Sequence, residues 1–83
     1  MMLLPPGVSV SAVTRVSVEV ADRPGVLLRV LGVCQRRGAR VVAMTYGQDG
    51  EQARIELALS ADERALRMAR ARLAGLVDVH AVT

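Results

Sequence analysis

The first clear pattern along the chain is a strict alternation of apolar and polar residues between Val13 and Ala21. On one side lie Val16, Val18 and Val20, and on the other Arg15, Ser17 and Glu19. A period of two predicts a half-buried β-strand. The strand should end at Asp22-Arg23-Pro24-Gly25, because Pro24 fixes φ and cannot donate to a β-ladder. Asp22 is placed to cap whatever element follows.

A helical period comes next, from Val26 to Arg37. The apolar residues recur at i, i+3, i+4 and i+7, namely Leu27, Val30, Leu31 and Cys34. This spacing predicts an amphipathic helix. Arg36 and Arg37 suit the negative end of the helix dipole, and Gly38 suits the left-handed position after its last turn.

Two further strands are predicted beyond this helix. The segment from Ala39 to Tyr46 is rich in β-branched residues, and Gly47-Gln48-Asp49-Gly50 has the composition of a hairpin turn. Alternation then resumes from Ala53 to Leu59. We expect these two strands to pair antiparallel.

The last third of the chain predicts a second helix and a fourth strand. Ser60-Ala61-Asp62-Glu63 matches a capping box, with Ser60 as the N-cap and Glu63 reaching back. The helix should run to about Ala74 and end at Gly75. Alternation from Leu76 to Val82 predicts the closing strand. The order βαββαβ indicates an α+β, ferredoxin-like fold: a four-stranded antiparallel sheet with two helices on one face.

Length and composition limit the number of domains, the cellular compartment and the kinds of assembly that the chain can form. The chain has 83 residues, which is enough for one small domain; we expect residues 1–12 to be an N-terminal tail, disordered in part, and residues 13–83 to be the domain. A core this small is marginal alone, which favours association with a partner or formation of a homodimer. The lone Cys34 excludes a disulfide framework and fits the reducing cytoplasm. No apolar run approaches the ~20 residues of a membrane span, so no membrane association is expected.

The candidate chemistry is sparse. All 11 basic residues are Arg and the net charge is +3, but a sheet that binds single-stranded RNA stacks bases on aromatic side chains, and Tyr46 is the only aromatic residue. No nucleic-acid partner is therefore expected. His80 is the only His, and the acids Glu19, Glu56 and Asp78 alternate out of the core and are interpreted as solvated. No catalytic constellation or metal-ligand spacing is present, so we expect no catalytic residues, no metal and no enzyme activity.

The sharpest feature is the segment from Asp22 to Leu27, where a strand runs into a helix around Gly25. The free N–H groups of a first helical turn suit the carboxylate of a small ligand, and a glycine lets that ligand approach the backbone. Asp22 would meet an ammonium group at the same time, so an amino acid is the simplest ligand that satisfies both charges. The alternative is structural: Asp22 caps the helix and Pro24-Gly25 forms a tight turn. The residues alone leave both interpretations open.

These residues resemble the ACT domain family. The likeness lies in a strand followed by Asp-Arg-Pro-Gly-Val-Leu and a helix that ends in Arg36-Arg37-Gly38. The closing Gly75-Leu76-Val77-Asp78-Val79 is most similar to the shorter small (regulatory) subunits of acetolactate synthase, also called acetohydroxyacid synthase. The resemblance extends from about Thr14 to Val82.

The resemblance implies a non-catalytic ACT domain without a cofactor. Such domains dimerise through the sheet, bind an amino-acid effector, and activate or feedback-regulate a separate large catalytic subunit that uses thiamine diphosphate in branched-chain amino-acid biosynthesis. The effector would be valine or another branched-chain amino acid. The implied effector site combines a first loop with residues of the second copy, and its members are Asp22, Arg23, Pro24, Gly25, Val26, Leu27, Arg40, Val41, Val42 and Met44.

Two positions depart from the family pattern. Asp22 stands where the family usually has Asn, and Ala39 and Arg40 stand where valine-sensitive members have an aromatic residue and Asn. Because Arg40 is larger and charged, sensitivity to valine itself is a weaker expectation than family membership. Two other functions stay open: a stand-alone amino-acid-sensing ACT domain that regulates another enzyme, as in aspartate kinases and uridylyltransferases, and a ligand-free oligomerisation module.

Overall fold

A four-stranded antiparallel sheet with two helices on one face makes up the structure, a computed structural model that describes residues 13–83. The predicted N-terminal tail lies outside the described residues. The sheet order is β2-β3-β1-β4, and the predicted βαββαβ arrangement is confirmed. In chain order the elements are β1 (Val13–Ala21), α1 (Val26–Arg36), β2 (Arg40–Asp49), β3 (Gln52–Ser60), α2 (Glu63–Ala74) and β4 (Val79–Val82).

The core is a single aliphatic layer between the sheet and the helices. β1 and β3 pair without interruption over nine residues each, from Val13 opposite Ser60 to Ala21 opposite Gln52. Their helix-facing side chains are fully buried: Val16, Val18, Val20, Ile55, Leu57 and Leu59. The helices contribute Val30 and Cys34 from α1 and Ala69 and Leu73 from α2. Alternation in β1 and β3 therefore predicted the sheet half of the core correctly.

The first helix begins differently from the prediction. Its N-cap is Gly25, at φ 83°, and no side chain caps it. The predicted capping role of Asp22 is wrong, because its carboxylate accepts hydrogen bonds from Tyr46 and Gln48 instead. At the other end α1 stops one residue before the predicted Arg37, and Gly38 takes the expected left-handed conformation at φ 78°.

The hairpin lies further along the chain than predicted. β2 continues through Gly47, Gln48 and Asp49, and the turn consists of Gly50 and Glu51, with Gly50 at φ 64°. The predicted turn at Gly47–Gly50 is wrong in its position. Its first three residues are held in the sheet by pairing opposite Arg54, Ala53 and Gln52.

Strand β2 contains a β-bulge at Val42. Val41 pairs with Leu59 and Ala43 with Ala58, so Val42 is the extra residue on this strand. An extra residue shifts the alternation by one position. For that reason Val41 and Met44, three residues apart, both pack against the core.

The second helix and the fourth strand also begin later than predicted. Ser60 is not an N-cap but the last residue of β3, where it pairs with Val13 and Arg40. The N-cap is Asp62, whose Oδ1 accepts a hydrogen bond from the Ala65 N–H at 2.7 Å. The predicted end of α2 at Ala74, followed by Gly75, is confirmed.

β4 is shorter than the predicted strand from Leu76 to Val82. Leu76 to Asp78 form a bend and turn, in which the Val79 N–H donates to the Leu76 carbonyl at 3.1 Å, and the strand begins only at Val79. The predicted alternation also fails inside the strand. A register shift opposite Glu19 and Val20 brings both Val79 and Val82 onto the core.

The helices have 11 and 12 residues. Within residues 13–83, no helix has the length and apolar character needed to cross a bilayer.

The corrected cap of α2 is testable by two single substitutions. Asp62→Ala should lower the free energy of unfolding by about 1 kcal/mol, since it leaves a first-turn N–H without its acceptor. Ser60→Ala should change it by less than about 0.5 kcal/mol. Urea denaturation monitored by circular dichroism measures both. A larger loss for Ser60→Ala than for Asp62→Ala would reinstate the capping box.

Candidate functional site

A cavity of about 480 Å³ opens at the loop between β1 and α1. Here the end of β1 and the start of α1 lie beside the hairpin of β2 and β3. The structure brings all six predicted loop residues to it, and it adds Tyr46 from β2, which the sequence did not single out. The lining residues are Asp22, Arg23, Pro24, Gly25, Val26, Leu27 and Tyr46.

Backbone hydrogen bonds hold the loop in place. The Asp22 N–H donates to the Glu51 carbonyl in the hairpin turn at 2.9 Å, and the Arg23 N–H donates to the Ala21 carbonyl at 2.9 Å. The first helical donor that reaches back four residues is Arg29, whose N–H lies 3.1 Å from the Gly25 carbonyl. The N–H groups of Leu27 and Leu28 precede it and have no acceptor within the helix. This end of α1 therefore favours an anion.

The Asp22 carboxylate accepts hydrogen bonds from two residues of β2, a strand that does not pair with β1. Tyr46 donates its hydroxyl to Oδ1 and Gln48 donates Nε2 to Oδ2. Both donors lie on β2, two strands away from β1 in the sheet. These hydrogen bonds lower the pKa of Asp22, the one from Tyr46 most strongly, and the same contact with Asp22 raises the pKa of Tyr46. At neutral pH the pair is a phenol donating to an ionised carboxylate.

A second carboxylate, Asp78, ties the loop to the turn before β4. Its side chain is only 13% exposed; Oδ2 lies 2.6 Å from Nη2 of Arg29, and Oδ1 lies 3.6 Å from Nε of Arg23. The expectation that Asp78 is simply solvated is therefore wrong. Glu19 fits that expectation better, since its ion pair with Arg54 is half-exposed on the open sheet face.

The predicted residues of β2 belong to a different cavity of the same chain. Arg40, Val41 and Met44 line a space of about 610 Å³ between the end of α1 and the start of β2, and this space shares no lining residue with the loop cavity. Val42 lines neither cavity, because the bulge turns it out of register with Val41 and Met44. One protomer thus carries nine of the ten predicted residues in two separate groups, and the tenth, Val42, belongs to neither.

The remaining candidate groups offer little chemistry. Cys34 is buried, as predicted, and burial raises the pKa of its thiol, which disfavours the reactive thiolate. Among residues 13–83 no group of three or more His, Cys, Asp or Glu side chains is arranged to hold a metal ion. What the loop cavity offers is an ionised acceptor, Asp22, beside a helix N-terminus. That combination is complementary to a zwitterion.

Comparison with known proteins identifies the architecture. The family model described as "ACT domain" matches residues 22–82. No protein in a search of curated sequences matched the chain. Among solved structures, the ACT domain of the GTP pyrophosphokinase of Chlorobium tepidum superimposes with a TM-score of 0.72 over 86% of this chain and 94% of that one, at 12% identity. At that identity the likeness concerns the fold alone.

Two other solved structures are more similar in sequence. The acetolactate synthase small subunit of Thermotoga maritima has a TM-score of 0.75 and 26% identity over 86% of this chain, which spans 45% of that chain. A homoserine dehydrogenase of Thiobacillus denitrificans has a TM-score of 0.69 and also 26% identity, and this chain spans 16% of it. The present chain thus corresponds to less than half of either protein.

The loop conformation makes a prediction about glycine. Gly25 has no neighbouring atom where a Cβ would lie, but its φ of 83° strains any L side chain. Gly25→Ala should therefore lower the free energy of unfolding by about 1–2 kcal/mol. Gly47→Ala is the matched control, because that site is equally open without a positive φ. Equal stability of the two variants in urea denaturation would contradict the loop geometry.

Proposed function

Because the chain belongs to the ACT domain family, we propose that it is a regulatory small subunit of acetolactate synthase that binds an amino-acid effector in the loop cavity. ACT domains are regulatory and non-catalytic. The observation that carries the effector site is the meeting of an ionised carboxylate, Asp22, with the free N–H groups at the start of α1. An α-amino acid presents the complementary ammonium and carboxylate groups on one carbon atom.

The choice of enzyme is supported by the likeness to the acetolactate synthase small subunit of Thermotoga maritima, at 26% identity. It is also supported by the closing Leu76-Val77-Asp78-Val79, which is most similar to that group of subunits. Asp78 has a structural role within this segment, since its carboxylate joins the turn before β4 to Arg23 and Arg29 beside the cavity. On this proposal the partner is the large catalytic subunit, and the effector is a branched-chain amino acid.

The proposed form is a homodimer that pairs along β2. This strand has ten residues and stands at the edge of the sheet, so among residues 13–83 one side of its backbone pairs with no strand. A second copy would bring its Arg40, Val41 and Met44 to the loop cavity of the first. The effector site would then be completed by residues that one protomer keeps apart.

A second candidate is an ACT domain that regulates another enzyme of amino-acid metabolism. The homoserine dehydrogenase of Thiobacillus denitrificans favours it, because it matches this chain at the same 26% identity. The identity of the catalytic partner distinguishes the two candidates. A domain with no ligand at all is the third outcome that the experiments below can reveal.

Effector binding is tested by calorimetry with L-valine, L-leucine and L-isoleucine on wild type and two variants of Gly25. Gly25→Asp puts a carboxylate where the ligand's carboxylate would lie and should abolish the heat of binding. Gly25→Asn is the matched control: Asn and Asp both tolerate φ > 0, and only the charge differs. Absence of heat with wild type at concentrations that ensure dimerisation would refute the effector site, and equal binding by the two variants would refute its location.

The catalytic partner is tested by co-expression with the large subunit of acetolactate synthase from the same organism. We expect the two chains to co-purify and the synthase activity to rise. A large subunit that neither co-purifies nor changes in activity would contradict this assignment, and co-purification with homoserine dehydrogenase would support the second candidate.

A further inference from the structure

Tyr46 joins the loop cavity to the edge strand of the sheet. It lines the cavity together with Pro24 and Leu27, the residue is about a third exposed, and its hydroxyl donates to Asp22. The proposed effector site uses the ionised Asp22 but gives Tyr46 itself no part in recognition. The hydrogen bond from Tyr46 is nonetheless the strongest influence on the ionisation of Asp22.

We propose that Tyr46 is the positioning residue for the amine half of the effector site: its hydroxyl holds the Asp22 carboxylate in the orientation that accepts a ligand's ammonium group. The inference rests on the proposed function, and it adds a residue from outside the loop. It also predicts which ligands fit, namely those with an amine beside the carboxylate.

The hydrogen-bond capacity of Asp22 supports this role. A carboxylate offers about four acceptor positions, two on each oxygen. Tyr46 occupies one position on Oδ1 and Gln48 one on Oδ2, so each oxygen keeps a second position for an ammonium donor. Two donors from one strand also fix the rotation of the carboxylate about its Cβ–Cγ bond. A receptor group fixed before binding loses less entropy when the ligand arrives.

The contact between Asp22 and its donors on β2 spans β3, the strand that lies between β1 and β2. Tyr46 lies opposite Ile55 and Gln48 opposite Ala53, while Asp22 follows the residue opposite Gln52. Asp22 must therefore reach across the end of β3 to meet its donors. At this end of β3 the residue opposite Gln48 is Ala53, which is buried and has only a methyl side chain.

Other charges near Asp22 must be separated from the effect of Tyr46. Arg23 is its neighbour in the loop, and a cavity of about 640 Å³ on the far side is lined by Asp22, Arg23, Glu51 and His80. Repeating the measurements in a His80→Gln background removes the imidazole from that cavity.

The contact itself is tested optically, because Tyr46 is the only tyrosine and the chain has no tryptophan. Absorbance at 295 nm follows the ionisation of this one phenol. The hydrogen bond to Asp22 raises the pKa of Tyr46, so the wild type should titrate above the ordinary value near 10 and Asp22→Asn should titrate lower. Identical midpoints would overturn the proposal, since no contact would remain to position Asp22.

Its role in recognition is tested by calorimetry with whichever of L-valine, L-leucine and L-isoleucine binds best. Tyr46→Phe keeps the ring and removes the hydroxyl, and it should weaken binding on the order of three- to tenfold, the cost of ordering one side chain that the wild type fixes before binding. Thr45→Val is the control, since it removes the hydroxyl of an exposed neighbour on the opposite face of β2. The 2-hydroxy acid analogue of the ligand should bind weakly to wild type and be much less affected by Tyr46→Phe.

The pH profile separates positioning from a merely structural role. Tyr46 lowers the pKa of Asp22, so binding through an ionised Asp22 is lost on acidification at a lower pH in wild type than in Tyr46→Phe. An unchanged affinity and an unchanged acid limb in Tyr46→Phe would overturn the proposal while leaving the effector site standing. If wild type binds none of the three amino acids, the proposal falls together with the effector site.

Discussion

The uninterrupted pairing of β1 with β3 is the constraint from which the rest of the molecule follows. Nine successive pairs fix the register, and a slip by one residue would turn Val16, Val18 and Val20 out of the core. The same register sets Ala21 beside Gln52 and so brings the end of β1 level with the hairpin of β2 and β3. The loop cavity lies at that level. The aliphatic core therefore determines the position of the polar site as well as the fold.

Local patterns were enough to predict most of the fold, and they failed where a distant partner decided the outcome. Both Ser60 and Asp62 are good N-caps, but Ser60 is held by strands on each side, which leaves the cap to Asp62. Glycine and polar residues suggested a turn from Gly47, yet pairing with β3 holds that segment in the sheet as far as Asp49. The bulge in β2 and the register shift at β4 carry no sequence signal of their own. The shift at β4 breaks the alternation on which the prediction of that strand relied.

The same distinction between local patterns and distant partners applies to the residues of the candidate site. The loop residues are contiguous, so one motif predicted them together, and the structure places all six around one cavity. Tyr46, Gln48 and Asp78 were missed because they reach the loop across the sheet or from the far end of the chain. The only signal for Tyr46 in the sequence was composition. The chain has one tyrosine and no phenylalanine or tryptophan, so this single large polar ring is unusual. Its contact with Asp22 depends on sheet order, which no local pattern contains.

The bulge at Val42 also affects which strands can add to the edge of the sheet formed by β2. A straight edge of ten residues is a template on which strands can add without limit, as in amyloid. A bulge bends and twists the strand, so that its two halves cannot both lie flat against one long added strand. Addition of a long straight strand along β2 is thereby disfavoured. The irregularity that keeps Val42 from lining the cavity thus also works against open-ended addition of strands at this edge.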